Sequence, residues 1–576
     1  MKNSSKEQEL MRASAARMRA IASEIMGHEL PWPDLRTILV IGIINCWVKW
    51  DIIPAQALEQ SRFYWALGKE FVGILGSPVI IAEAEVIARQ LQQNFTGEDI
   101  GSVITALRDF AWTLEDNFSY DAGRKRTPHR KKQQGIYETP PCVAQFLFLL
   151  TRFFSASISS VLDPASGSGN LLDPFWEHLP NCTTMAIDTD EIALLLAEIR
   201  FLSRQIGAGA QASSTSFNIN DFLEISLESL YDVIVANPPW GLPKITLKRY
   251  DKANFPASYT SQVDSWALFM EKATSWLTPE TGILAFIIPN TLCLNPNFER
   301  LRKYLLRSYT ILFMLNLGER IFPLVTQPAL LILIKNSPPH IDHEILAGSF
   351  AGDGTLTPRV EQLDQWLPKT QPELNVFLSA QERFAQRTFL DIPGCRIELF
   401  SNQEAINLLQ KIDESSSYTF GDFVTNGRGV EIGKHAVVVQ CSQCGRWNPP
   451  PKPKGGKKAT CNHCHFPLSP VQDLQKVRII SENQNEVSNH EGNIAEVIVG
   501  EQLSKYLIKG RQYIRLDLDG INYKVPSTYT SPKIIVRKTG REIHAAIDWD
   551  GRFTVQVVYI FKPKSTPPMQ IPIEVL

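Results

Sequence analysis

Apolar positions recur at helical spacing over Glu7 to Ile25, Ala57 to Leu75 and Pro78 to Phe95. That spacing gathers apolar side chains on one helix face, so residues 1–125 are expected to form a helical accessory domain. Beyond residue 140 the pattern shifts. Short apolar runs end at Leu162, Asp188, Phe222, Ala236, Pro289, Leu317 and Ile334, with amphipathic stretches among them at Glu191 to Ser203, Val263 to Trp276 and Phe298 to Leu306. Such alternation predicts a parallel sheet covered by helices, its last two strands joined by a short turn and antiparallel at one edge. Val143 to Phe154 reads as a further helix, with Pro140 and Pro141 suited to its first turn and Thr139 to its N-cap. After a connector at 346–419, β-prone runs broken by turn glycines make residues 420–576 a β-rich region.

The polar residues that end these runs carry the candidate chemistry, because ligands of open α/β sheets bind beyond the carboxyl ends of the strands. Asp163 closes the first run and opens a tight turn containing Ala165, Gly167 and Gly169. This turn lacks the Gly-Lys-Ser/Thr of a phosphate-binding loop, and an acid at the strand tip suits a cation better than a phosphate. Asp188 ends the second run, where a carboxylate can take both hydroxyls of a ribose, and Asp221 lies at the end of the third, where an adenine amine could donate to it. The fourth run stops at Asn237, Pro238, Pro239 and Trp240. An amide, two rigid carbonyls and an indole suit a flat ring with an exocyclic amine: Asn237 and the Pro238 carbonyl accept its two N–H bonds while Trp240 stacks on its face. The plainer account is a Pro-Pro turn with a buried Trp. Each Asp alone is an ordinary loop residue, but three in register at successive strand ends argue for a site.

Composition alters this picture little. A formal charge of −2 with 20% charged residues is ordinary for a globular protein, and by itself says nothing for nucleic acid. The final stretch, 421–576, nevertheless holds 21 Lys+Arg against 14 Asp+Glu, the asymmetry of a DNA-facing end on an acidic enzyme. Arg124, Lys125, Arg126, Arg130, Lys131 and Lys132 form a basic run that is either solvated loop or a phosphate contact. The longest apolar run, Ile38 to Val48, is too short to span a bilayer, and a cytoplasmic protein without a membrane partner is expected. Among nine cysteines, five are scattered singly, which argues for reduced thiols. The other four, Cys441, Cys444, Cys461 and Cys464, form two Cys-x-x-Cys pairs separated by sixteen residues, the spacing of a structural Zn2+ site inserted at 441–464. His463 and His465 are alternative ligands, and the intervening Arg446, Lys452, Lys454, Lys457 and Lys458 make either a phosphate-gripping finger or a solvated loop.

Taken together, the motifs between residues 133 and 340 resemble, in order, those of the gamma-class (TaqI-like) adenine-N6 DNA methyltransferases of restriction-modification systems, and residues 400–565 resemble that family more loosely. The resemblance implies a Rossmann-like, seven-stranded methyltransferase core at 126–345 and a target recognition domain at 420–576 carrying the zinc ribbon. It further implies an S-adenosyl-L-methionine site: Tyr137 lies in the segment, and Ala165, Gly167 and Gly169 in the loop, that bind the cofactor; Thr139 and Asp163 hold its methionine moiety, Asp188 its ribose and Asp221 its adenine, and Asn237 also borders the cofactor. Asn237, Pro238, Pro239 and Trp240 would receive the target adenine, flipped from double-stranded DNA, with Phe322 against its other edge. Trp240 stands where many relatives have Tyr. Relatives also continue past the strand matching Val555 to Phe561, so either a compact recognition domain or a further subunit completing it is expected, beside a cognate restriction or phage-defence protein. Rival readings are a methylase-like DNA-binding subunit without turnover, and a methyltransferase acting on RNA or protein glutamine.

Overall fold

A computed structural model describes residues 3–27, 32–92, 104–105, 107–108, 138–155, 157–208, 214–226, 229–242, 247–260, 262–322, 325, 327–350, 360–398, 403–432, 436–449, 460–468, 475–484, 493–540 and 542–576. The basic run at 124–132, Tyr137 and the lysines at 452–458 lie outside these. The chain divides into two compact units, Met1–Gln410 and Lys411–Leu576.

The first unit is built on a mixed sheet in the order β3-β2-β1-β4-β5-β7-β6-β8-β9. Its strands are β1 (Ser160–Asp163), β2 (Thr183–Asp188), β3 (Thr215–Ile219), β4 (Val233–Ala236), β5 (Ile283–Pro289), β6 (Thr310–Gly318), β7 (Ala329–Lys335), β8 (Glu344–Ser349) and β9 (Glu382–Ala385). The five strands from β3 to β5 run parallel. Every residue of β4 and β5 is buried, as a strand covered on both faces requires. Seven strands, β1 to β7, lie within 126–345, and β8 and β9 extend the sheet to nine. β6 and β7 pair antiparallel as expected, but one expectation needs correction: they are not at the edge, since β7 lies between β5 and β6, antiparallel to both, and β8 then pairs parallel to β6. β8 and β9 escaped the hydrophobic pattern because each is short and alternates with exposed positions, burying Ile345, Ala347 and Phe384 only.

The amino-terminal helices share a continuous apolar core with this sheet. Helix Trp32–Lys49 was not legible as amphipathic because it is apolar almost all round, and Leu35, Ile38, Ile41, Ile44 and Trp47 are fully buried. Helix Pro141–Phe154 starts as expected on prolines, but Pro140 occupies its N-cap, without a side-chain cap bond. Thr139 instead lies one residue outside, and its carbonyl accepts a 2.9 Å bond from Asn170 Nδ2.

The second unit is β-rich. One four-stranded antiparallel sheet joins Val424–Arg428, Val558–Pro563, Lys533–Arg537 and Ala545–Asp548, and another four-stranded sheet is centred on Ile494–Ile498 and Tyr513–Arg515. A small three-stranded sheet, Trp447–Asn448, Val437–Gln440 and Lys476–Arg478, runs directly into the first cysteine pair. No helix among the described residues is long and apolar enough to cross a membrane.

Candidate active site

Because the sheet order is β3-β2-β1-β4, the residues that end these four parallel strands stand in a row: Asp221, Asp188, Asp163 and Asn237. Sequence alone put each at a strand end, and the topology makes the ends neighbours.

Asp163 is the most enclosed of the row. Its Oδ1 accepts from the Ala165 amide at 3.0 Å, whereas its buried Oδ2 has no hydrogen-bond partner. Burial pushes this carboxyl well above the usual carboxylate range, the Ala165 N–H opposing it in part and the charges of Asp188 and Glu138 adding to it. Asp188 Oδ2 accepts from Gly167 N at 2.8 Å and Oδ1 from Asp190 N at 2.9 Å, so this acid ties the glycine turn to the loop that follows β2. Burial raises Asp188 too, with Arg108 pulling the other way. Asp190 shows the opposite balance: burial disfavours its charge, but Arg108 and Arg36 outweigh that and hold it below the ordinary value.

Glycine is required in the turn. Gly169 has φ +83°, and a Cβ there would lie 2.8 Å from the Trp176 ring. That ring is anchored by Nε1 donating to Thr184 Oγ1 at 2.9 Å and cannot easily retreat. Gly169→Ala is expected to destabilise the first unit by about 2–3 kcal/mol, through left-handed backbone strain and overpacking together, measurable by urea unfolding; an unchanged midpoint would contradict this account of the turn.

Asp221 is already engaged. Leu223 N donates to its Oδ1 at 2.9 Å, and its Oδ2 receives the Tyr250 hydroxyl at 2.8 Å and the Arg249 guanidinium. Neither Arg249 nor Tyr250 stood out in the sequence.

At the fourth strand end, the turn is tied to helix Ser265–Thr274. Asp264 Oδ1 accepts from Gly241 N at 2.7 Å, and Ser265 Oγ donates to the Pro239 carbonyl. Asn237 is half-buried at the mouth, with Pro238 buried behind it. Phe322 comes from the segment after β6 and meets Trp240 edge-to-face, the centroids 5.3 Å apart at 88°. The sequence resemblance had set these rings on either side of a base. In this structure they touch, with exposures of 6% and 1%, and no third ring fits between them.

In the second unit, Cys441, Cys444, Cys461 and Cys464 bring all four sulfurs within 4.8 Å of one another. The Cys441–Cys464 and Cys444–Cys461 sulfurs are each 3.6 Å apart, too far for a disulfide and close to the roughly 3.8 Å edge of a tetrahedron of ~2.3 Å zinc–thiolate bonds. The two turns are alike: Cys441 N and Gly445 N bond to Arg446 O and Cys441 O, as Cys461 N and His465 N bond to Phe466 O and Cys461 O. His465 therefore fills the left-handed position, φ +59°, that Gly445 fills in the first turn, while His463 turns to Arg446, with Nδ1 3.1 Å from Nη1. Asn448 Nδ2 donates to Cys461 Sγ at 3.4 Å and its Oδ1 accepts from Asn462 N at 2.8 Å, fastening the second turn to the strand leaving the first.

Comparison with known proteins fits this geometry. The family model for Eco57I restriction-modification methylases matches residues 156–322. Modification methylase CviBIII of Paramecium bursaria Chlorella virus NC1A is 26% identical over 219 residues, 38% of this chain and 54% of that protein. Type II methyltransferase M.VspI of Vibrio sp. (strain 343) is 28% identical over 212 residues, 36% of this chain and 50% of that protein. The chain thus spans about half the length of these relatives. Among solved structures, DrdV in complex with DNA covers 97% of this chain and 63% of its own, with TM-score 0.57 and 13% identity. The ATP-dependent Type ISP restriction-modification enzyme LlaBIII bound to DNA covers 97% of this chain and 43% of its own, with TM-score 0.53 and 11% identity. At these identities the likeness to solved structures is one of fold. Residues 156–322, which contain every strand-end residue of the row, thus carry the signature of the Eco57I restriction-modification methylase family.

Proposed function

We propose that this chain methylates the N6 amine of an adenine flipped out of a specific double-stranded DNA sequence, in a restriction-modification or phage-defence system. The observation that carries the reading is the row Asp221, Asp188, Asp163, Asn237 along four adjacent strand ends, the last beside the aromatic pair Trp240 and Phe322. The buried, unpartnered Oδ2 of Asp163 fits the ammonium of S-adenosyl-L-methionine, and Asp188 fits its ribose. When bound, that cofactor supplies an electrophilic methyl group on a sulfonium. Asn237 and the Pro238 carbonyl accept the two hydrogens of the amine, which restores electron density to its nitrogen and aims it. Trp240 offers a face for the base, provided that Phe322 turns aside as the base enters. Stacking then returns roughly 1–3 kcal/mol of the few kcal/mol that flipping costs. Asp221 takes the cofactor's adenine amine only by sharing a carboxylate that Arg249 and Tyr250 also hold. The second unit is read as the DNA-recognition domain, with zinc in the four-cysteine site as its staple.

Methylation-sensitive long-read sequencing of DNA from cells expressing the chain, with Asn237→Ala as control, tests the reading. One modified adenine motif, lost in the variant, supports it. Unmodified DNA from a folded, cofactor-binding protein would favour a subunit without turnover, or an RNA or protein substrate.

Asp163 adds a pH signature. A cation beside it favours its ionised form, so binding releases a proton from a carboxyl whose resting pKa is raised, and affinity rises with pH. S-adenosylmethionine is expected to bind more tightly as pH rises above the ordinary carboxylate range, up to the range where the ligand's own amine titrates. Asp163→Asn should bind weakly and with a flat profile; an equally steep profile in the variant would assign the proton to Asp188 instead.

A further inference from the structure

The amino-terminal helices reach into the cofactor site. Ile104, Thr105, Leu107 and Arg108 are helical, Ile104 and Leu107 fully buried in the shared core, and the Arg108 side chain is only 1% exposed. Its Nε lies 3.1 Å from Glu138 Oε1 and its Nη1 3.2 Å from Asp190 Oδ2. From both carboxylates the contacts run on into the glycine turn. Glu138 Oε2 accepts from Ser168 Oγ at 3.1 Å, and Asp190 N donates to Asp188 Oδ1, whose other oxygen holds Gly167 N. Polar contacts and the Gly167–Ser168 peptide bond thus join Arg108, Glu138, Ser168, Gly167, Asp188 and Asp190 in a closed ring, and the guanidinium is the one cation among these six residues. Two residues brace the ring from outside it: Arg36 Nη2 bonds Asp190 Oδ1 at 2.7 Å, and Thr105 Oγ1 donates to Asn170 Oδ1 at 3.0 Å at the far end of the same turn.

We propose that this amino-terminal stretch is a built-in part of the cofactor site, with Arg108 as a positioning residue that sets the shape of the glycine turn and the ribose-facing orientation of Asp188. This rests on the functional reading above. Four carboxylates, Glu138, Asp163, Asp188 and Asp190, converge where the turn must stay open for a nucleoside, and without a cation spanning two of them their repulsion would spread it. A guanidinium suits the task because it spreads its charge over separate nitrogens, so that Nε lies against one carboxylate and Nη1 against the other, which the single nitrogen of a lysine ammonium cannot match. Because Arg108 acts through Glu138 and Asp190, its influence is expected to fall on binding rather than on the transfer step.

The test uses the full chain carrying Arg108→Met, Arg108→Lys, Glu138→Gln or Thr105→Val. It measures the calorimetric affinity for S-adenosylmethionine and for its neutral-sulfur product S-adenosylhomocysteine, and amide hydrogen exchange over residues 164–170 without ligand. Arg108→Met is expected to weaken both ligands by about tenfold or more, as loss of an outer partner of a bound group commonly does, and to speed exchange in the turn. Arg108→Lys should recover only part of the affinity, and at saturating cofactor kcat should change less than about threefold. Arg108→Met combined with Glu138→Gln should cost less than the sum of the two, since both open one ring. If Arg108→Met cannot be purified folded, Thr105→Val, which releases Asn170 Oδ1 and also removes the acceptor of Arg200 Nη2 while leaving the Arg108 ion pairs in place, should still raise exchange and weaken binding by a few-fold. A folded Arg108→Met protein with affinities within about twofold of the parent and unchanged exchange overturns the inference. Failure of the parent chain itself to bind either ligand overturns the functional reading instead, and the two failures are thereby told apart.

Discussion

Asn237→Ala is expected to slow methyl transfer by about 10^2- to 10^3-fold, while the affinity for S-adenosylmethionine stays within about threefold. The nitrogen of an adenine amine is a poor nucleophile because its lone pair is delocalised into the ring. Two acceptors that draw its hydrogens out of plane restore that density, and losing one removes a directional interaction worth roughly 3–4 kcal/mol at the transition state. The framework should survive the change. β4 is buried throughout, and the turn is held independently by Ser265 on the Pro239 carbonyl and by Asp264 on Gly241 N. Single-turnover transfer from labelled cofactor, set beside calorimetric binding, separates the two effects. Equal loss of rate and affinity would mean that Asn237 serves the cofactor and not the target amine.

Cys441→Ser is expected to empty the metal site and to abolish sequence-specific DNA binding, leaving cofactor affinity unchanged. Structural zinc supplies on the order of 10 kcal/mol or more to small cysteine-ligated modules, more than the marginal stability of an ordinary domain. Here the cluster's own core is small: Val439, Cys441, Cys461 and Leu468 are its buried members, with Phe466 packed against them. Two of those four are the cysteines themselves, so without metal little apolar burial remains to hold the turns. Metal content by mass spectrometry and DNA binding by fluorescence anisotropy report the outcome. One zinc retained per chain in Cys441→Ser would refute the four-thiolate site. Zinc lost with DNA binding intact would uphold the four-thiolate site but remove its assigned purpose.

These expectations differ in how much of them the sequence already carried. The strand ends were legible because a buried parallel strand must be a short apolar run, and the polar residue that stops it marks the crevice end: Asp163, Asp188, Asp221 and Asn237 were all found that way. The cysteine pairs were legible because metal chelation needs a fixed local spacing. Arg108 and Arg36 were not legible, since nothing in the local pattern of a helix says that one of its arginines is buried against carboxylates far along the chain. Asp190 carried a faint signal in its place two residues after Asp188, and Asp264 with Ser265 in a typical helix-start pair; neither could be assigned a partner from spacing alone. Arg249 and Tyr250 were hidden for the same reason, and they change what Asp221 is free to do.

The sequence by itself determined the local rules: which runs become strands, where each ends in an acid or amide, and which four thiols come together. These follow from periodicity, proline and glycine chemistry, and short-range spacing, all of which act within a few residues. Only the tertiary structure decided that β3, β2, β1 and β4 lie side by side so that their end residues form one row, that β8 and β9 widen the sheet, and that Trp240 and Phe322 close on each other. It alone also brought the amino-terminal Arg108 under the glycine turn. Such contacts join residues tens to hundreds of positions apart, and they are selected by the burial of a whole core and the pairing of charges within it, which no local pattern encodes.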